Sequence, residues 1–223
     1  MKLIYKAYNL GMALSENQIT VLSVENPKAY SSILCDIWNQ TQGGEGGFIL
    51  SKEGEIRNIA KEVDCIFNPF ALDSNGKRVI NRLYQELQEQ ANTSLMNESI
   101  SLNGSIVAYL DELSRQVPYA LEYDLDFDIV GLMKLYNVKM ECFGECLLEK
   151  IVEYLRVMSH VCGMKNYVFV GLKQCLTVDE LKQLYEFVFC EKINLIIIEH
   201  IHSAPISGEK GWILDRDLCI IDL

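Results

Sequence analysis

Long apolar runs are missing from this chain. No uninterrupted hydrophobic stretch reaches the length a bilayer-spanning helix needs, and the N-terminal string MKLIYKAYNLGMAL lacks the apolar core and small-residue cleavage site of a secretion signal. The protein is therefore expected in the cytoplasm, with no membrane partner. Proline is scarce too, at 4 residues in 223, and 49% hydrophobic against 23% charged residues is a mixture that folds. Positive charge is in short supply: 20 lysines and arginines against 31 aspartates and glutamates leave a formal net charge of -11. That balance opposes wholesale attraction to nucleic acid, unless a local basic surface or bound divalent cations change the field at one face. The 8 cysteines are scattered through apolar segments such as FVFC and DLCIID, as buried thiols are, so no disulfide is expected.

Signatures of catalysis are also lacking. GGEGG at 43–47 invites comparison with a phosphate loop, but it has no Gly-Lys-Ser/Thr ending and precedes an expected strand instead of a helix, so it reads as a flexible turn. His200 and His202 in EHIHS find no further ligands at zinc spacing, and Cys142 and Cys146 lie four apart, which suits a helix face and not a zinc knuckle. His160 falls inside a helical stripe, and no GxSxG nucleophile elbow occurs. No catalytic residue and no nucleotide is assigned.

What is present is alternation. QITVLSV reads as a buried strand and the segment after it as a helix begun near Pro27; FILS and VDCIF read as strands, with GEIR a turn between them. From Asn75 the pattern becomes helical, with Val79, Ile80, Leu83, Tyr84 and Leu87 on one stripe. NTSLMNESISLNGS is expected to interrupt this helix before IVAYLDELSRQV resumes it and Pro118 ends it. A strand at LEYDLDFD, a helix at IVGLMKLYN and a strand at VKMEC follow. Next come a helix to about Val161, a strand at YVFVGL, a helix at TVDELKQLYEFVF capped by Thr177 with Glu180, and a strand at INLIIIEH. Two short strands around Asp215 and Arg216 close the chain. The alternation predicts an α/β fold with a largely parallel sheet covered on both faces, residues 1–74 and 120–223 forming one domain and 75–119 an inserted helical one.

LEYDLDFD spaces Glu122, Asp124, Asp126 and Asp128 at every second position. On a strand they would share one face. Two readings stand: a solvated edge face, because crowded like charges are usually left in water, or an oxygen site for a hard cation such as calcium, which takes roughly six to eight oxygens. The spacing is not that of an EF-hand loop.

LEYDLDFDIVGLMKLYNVKME, followed by LLEKIVEYLRVM, YVFVGLKQCLTVDELKQLYEFVF, NLIIIE and WILDRDLCIID, resembles the second half of the Csn-family accessory proteins of type II-A CRISPR systems; SVENPKAYSSIL, GGFILS and NPFALDSNGKRVINRLYQEL resemble the first. The resemblance runs from about Thr20 to the C-terminus and is weakest between Ala91 and Gln116. It implies a head related to P-loop NTPases, without nucleotide hydrolysis, and an inserted helical leg domain. It further implies a ring-shaped homotetramer that binds calcium and takes double-stranded DNA, particularly its ends, in spacer acquisition beside the CRISPR integrase complex and the effector nuclease. On that footing Glu122, Asp124, Asp126 and Asp128, with Glu141 and then Glu145 as further oxygens, are the expected calcium ligands, and Lys134 and Lys139, then Lys28 and Lys150, the expected DNA contacts. A divalent-metal nuclease or phosphohydrolase using the same acids, and a purely protein-binding scaffold, are the rival expectations.

Overall fold

The structure, a computed structural model, describes residues 1–223 except Glu16 and Phe143. It divides into two units, Met1–Ser74 with Cys142–Leu223, and Asn75–Glu141. The second unit thus extends past the expected 75–119 and takes in residues 120–141.

The first unit begins with β1 (Lys2–Tyr5), β2 (Leu10–Ala13), β3 (Ile19–Val24), α1 (Pro27–Thr41), β4 (Phe48–Lys52), β5 (Glu55–Arg57), α2 (Ile59–Glu62) and β6 (Val63–Ile66). The second contains α3 (Lys77–Asn92), α4 (Met96–Ser114) and α5 (Ile129–Leu135). The first then resumes with α6 (Leu147–Val161), β7 (Asn166–Val170), α7 (Val178–Cys190), β8 (Asn194–Glu199), β9 (Glu209–Leu214) and β10 (Ile220–Asp222).

Six strands form the main sheet in the order β10-β9-β3-β8-β7-β6, parallel except for β10. Every residue of β3 is buried, Thr20 and Ser23 among its aliphatic residues included, as a doubly covered parallel strand requires. On one face Leu22, Val24, Ile196 and Ile198 pack with Ile33 and Ile37 of α1 and with Leu3, Met12 and Leu50 of a second sheet. α6 and α7 carry their own buried stripes, Ile151, Leu155 and Met158 on one and Leu181, Leu184 and Val188 on the other. The Thr177 hydroxyl accepts from the Glu180 N–H, and the Glu180 carboxylate accepts from the Thr177 N–H, closing the expected capping box and holding the Glu180 carboxyl below its usual range.

The second sheet, antiparallel in the order β2-β1-β4-β5, contains the expected strand FILS as β4, while β1 and β2 have no counterpart in the sequence expectations. GEIR, expected as a turn, is instead strand β5 paired with β4. The turn sits one step earlier, at Glu53 and Gly54, whose φ values of 54 and 88 suit the two-residue hairpin that matches strand twist.

In the second unit one expectation holds and another fails. NTSLMNESISLNGS does interrupt the helix, at residues 93–95, and from Met96 it is already the first half of α4. Residues 121–128 and 138–142 form no strand. Among the described residues no strand pairs with them; their backbone is met by side chains, Asn103 donating to the Leu125 carbonyl and Asn75 bonding both backbone groups of Met140.

GGEGG leads from α1 into β4, and its last glycine is a packing requirement. The Gly47 N–H donates to Asp36 Oδ2 at 3.0 Å, and the Tyr5 hydroxyl donates to the same oxygen at 2.9 Å. Burial, and then that bond, push the Tyr5 hydroxyl pKa well above its ordinary value. A β-carbon at Gly47 would lie 2.6 Å from the Tyr5 ring and 2.8 Å from Asp36 Oδ2. Gly47→Ala should therefore cost about 1–3 kcal/mol, read from the denaturant midpoint; an unchanged midpoint would mean that the turn yields freely.

Candidate nucleic-acid interface

The second unit carries a group of cations at the start of α3. α3 starts after Gly76, which offers no side-chain cap, and no acid occupies its first turn. Lys77 and Arg78 stand there instead, with Arg82 one turn on, all exposed. Positive side chains at the positive pole of a helix work against its dipole, and together they make an anion-attracting field there.

Lys139 is brought to this end by its neighbour Met140, and Lys134 lies just before it in the last turn of α5. The Asp128 side chain caps α5 by accepting from the Gly131 N–H at 2.8 Å. The helix closes with Asn137 in the left-handed region, φ 48, while Val138 N–H donates to Met133 O and Asn137 N–H to Lys134 O, the paired bonds of a Schellman turn. This leaves Lys134 exposed in the last turn and sends the chain past Lys139 to Met140. There the Asn75 carboxamide accepts from the Met140 N–H at 2.8 Å and donates to its carbonyl at 2.9 Å, and the Tyr84 hydroxyl donates to Val138 O at 2.9 Å. Lys77 and Arg78 are two and three residues from Asn75, and Lys139 is one from Met140, so the clasp draws them together.

Sequence reasoning chose Lys134 and Lys139 and missed Lys77, Arg78 and Arg82. The signal was NGKRVINR, whose basic residues sit opposite the apolar stripe. Lys28 and Lys150 belong to the other unit, each exposed near a helix start. Asn26 accepts the N–H groups of Lys28 and Ala29 at the start of α1, so the donors that a phosphate loop would offer after β3 are already engaged.

The acids of 121–128 are arranged differently from the strand face expected. Glu122, Asp124, Asp126 and Asp128 are exposed on irregular backbone, Asp128 serves as a cap, and Leu121 and Leu125 are exposed as well. Tyr123 and Phe127 are the half-buried anchors, with the Tyr123 hydroxyl donating to Asp111. Glu141 and Glu145 are exposed too. Among the described residues no three His, Cys, Asp or Glu side chains gather to hold a metal ion. As placed, the expected ligands do not fit calcium.

The family model for CRISPR-associated protein (Cas_Csn2) matches residues 40–218. The chain belongs to the Csn2 family. It is 23% identical over 207 residues to CRISPR-associated protein Csn2 of Streptococcus agalactiae, covering 91% of this chain and 90% of that one. It is 23% identical over 162 residues to the protein of the same name from Enterococcus faecalis, covering 70% of each. Among solved structures, Stu0660 of Streptococcus thermophilus shares the fold, with a TM-score of 0.63 at 13% identity, covering 100% of this chain and 76% of that one. The Csn2 match spans the whole second unit, and with it the basic end and the acidic segment, whereas Lys28 lies outside it. Among the described residues of this Csn2-family protein, no helix is long and apolar enough to cross a membrane.

Proposed function

We propose that this Csn2-family protein is a non-catalytic clamp for double-stranded DNA, acting on duplex ends in CRISPR spacer acquisition as a ring-shaped homotetramer, with the integrase complex and the effector nuclease as partners. The observation that carries the DNA-binding part is the basic end of the second unit: Lys77, Arg78 and Lys139 exposed beside one clasp, with Lys134 exposed in the last turn of the helix that leads to it, on a chain of net charge -11. Lysines and an arginine grouped at a helix start neutralise phosphates, and nothing in the sequence resembles a base-reading helix with its groove-contacting residues, so the binding is independent of sequence. The assembly and the partners rest on family membership.

The rival reading, a metal-dependent nuclease, needs acids gathered around one scissile phosphate. The acids of 121–128 are strung along an exposed segment instead, which favours the clamp. Calcium enters as a ligand for which Glu122, Asp124, Asp126, Asp128 and Glu141 would have to be regathered, and no step of DNA binding depends on it.

Lys134→Glu with Lys139→Glu should weaken binding to duplexes of unrelated sequence alike and reduce the salt slope by about one for each phosphate no longer neutralised. Unchanged affinity would remove both lysines from the interface. Incubation of linear DNA with the protein and manganese should leave the DNA intact; cleavage would favour the nuclease.

Calcium is tested by thermal melting. A ligand of the folded state at a hundredfold excess over its Kd stabilises by about 2.7 kcal/mol, so the melting temperature should rise with millimolar calcium. A flat response would take calcium out of the proposal and leave the clamp standing.

A further inference from the structure

A cleft of about 420 Å3 opens at the carboxyl ends of β7 and β8. Its walls are the short turn Leu172–Gln174, the first turn of α7, and the loop 200–208 that carries the chain across to β9. Ligands of parallel sheets bind beyond the carboxyl ends of the strands, and the volume falls within the range of ligand sites.

Glu199, the last residue of β8, lines this cleft and is 2% exposed. One of its oxygens accepts the Lys173 N–H at 2.8 Å; among the described residues the other has only the Gln174 carboxamide, at 3.5 Å. The Lys173 ammonium is committed elsewhere, to Glu209 at 3.0 Å, and Glu209 also accepts from the Tyr185 hydroxyl at 2.6 Å and the Ile206 N–H at 2.9 Å. Of these two buried carboxylates only Glu209 holds the buried ammonium, and Glu199, which faces the cleft, has no lysine or arginine bridged to it among the described residues. Burial, partly offset by the Lys173 N–H, pushes the Glu199 carboxyl above its usual range, as desolvation of an unbridged acid should.

The mouth differs from the floor. Val178 is 55% exposed and Ile201 is 70% exposed, one on each side of the opening. A desolvated charge ringed by apolar flanks is the anatomy of an interface anchor pocket, and arginine is among the side chains that fill such pockets. A free amine would neutralise the acid yet leave the flanks in water; a polypeptide covers both.

We propose that this cleft receives an arginine or lysine side chain of a partner polypeptide, its cation on Glu199 and its apolar neighbours on Val178 and Ile201. The desolvation cost of Glu199 is already incurred in the folded chain, so an entering cation gains a charge-assisted bond without a second burial of that acid. This inference is independent of the DNA clamp.

The test is an NMR titration of the full-length isotope-labelled protein with three probes: capped leucyl-arginyl-leucine amide, its uncharged citrulline counterpart, and n-butylguanidinium. The arginine peptide should shift the amide signals of Lys173, Gln174 and Ile201 saturably, and the other two probes should bind about tenfold more weakly, each such factor being about 1.4 kcal/mol. Glu199→Gln should abolish the preference for arginine over citrulline. Ile201→Ser, at an exposed position, should weaken the peptide and leave n-butylguanidinium unaffected; with the citrulline comparison it decides the matter even if Glu199→Gln fails to fold. Absence of saturable shifts, equal binding of the citrulline peptide, or n-butylguanidinium binding as tightly as the peptide would each overturn the proposal. Retention of duplex DNA by the same samples reports on the clamp separately, so either can fail alone.

Discussion

The Asn75 carboxamide ties together the two ends of the inserted unit. Asn75 opens the unit, Met140 nearly closes it, and the two bonds between them do for the chain what a strand neighbour would do. Each bond is worth about 1 kcal/mol net, but the position of the clasp matters more than its strength. It fixes where α3 begins relative to the chain leaving α5, and the cations beside these two points become one patch as a result. An acidic protein needs such local concentration to meet a polyanion, because its total charge is of the wrong sign.

The two units are built to different standards. In the first, the central strands β3 and β8 of the main sheet are buried on both faces, and the ionic group of Lys173 and Glu209 is enclosed and hydrogen-bonded. In the second, α4 buries no residue, and Met96, Ile100 and Tyr109 remain more than half exposed. Stability is therefore uneven, with the cation-bearing unit at the weaker end, where binding surfaces that adjust to a partner are commonly found. The acidic segment belongs to that unit as well, held by Tyr123, Phe127 and the cap at Asp128.

The main sheet was readable from sequence because its strands are continuous apolar runs separated by amphipathic helices, and two covered faces leave few alternatives. The small sheet was not, although Leu3, Tyr5, Leu10 and Met12 alternate cleanly, since short antiparallel strands give a weak signal against the helical periods around them. At 121–128 the period-two pattern was real and misleading: with no partner strand among the described residues, Leu121 and Leu125 stayed in water and only Tyr123 and Phe127 became half-buried. The basic end was half visible. Lys134 and Lys139 stood out beside their turn, but Lys77 and Arg78 join them only through the Asn75 clasp, a pairing across 65 residues that no local pattern encodes.

The central claim is that the grouping of cations, and not their number, lets this chain hold DNA. The direct measurement is the slope of log affinity against log salt for one linear duplex, compared between the natural protein and Asn75→Ala, with helix content checked by circular dichroism. The variant keeps every charge and lacks the clasp, so its slope should fall by about one or more, at roughly one for each phosphate that the dispersed cations no longer reach. An unchanged slope in a variant of native helix content would contradict the account.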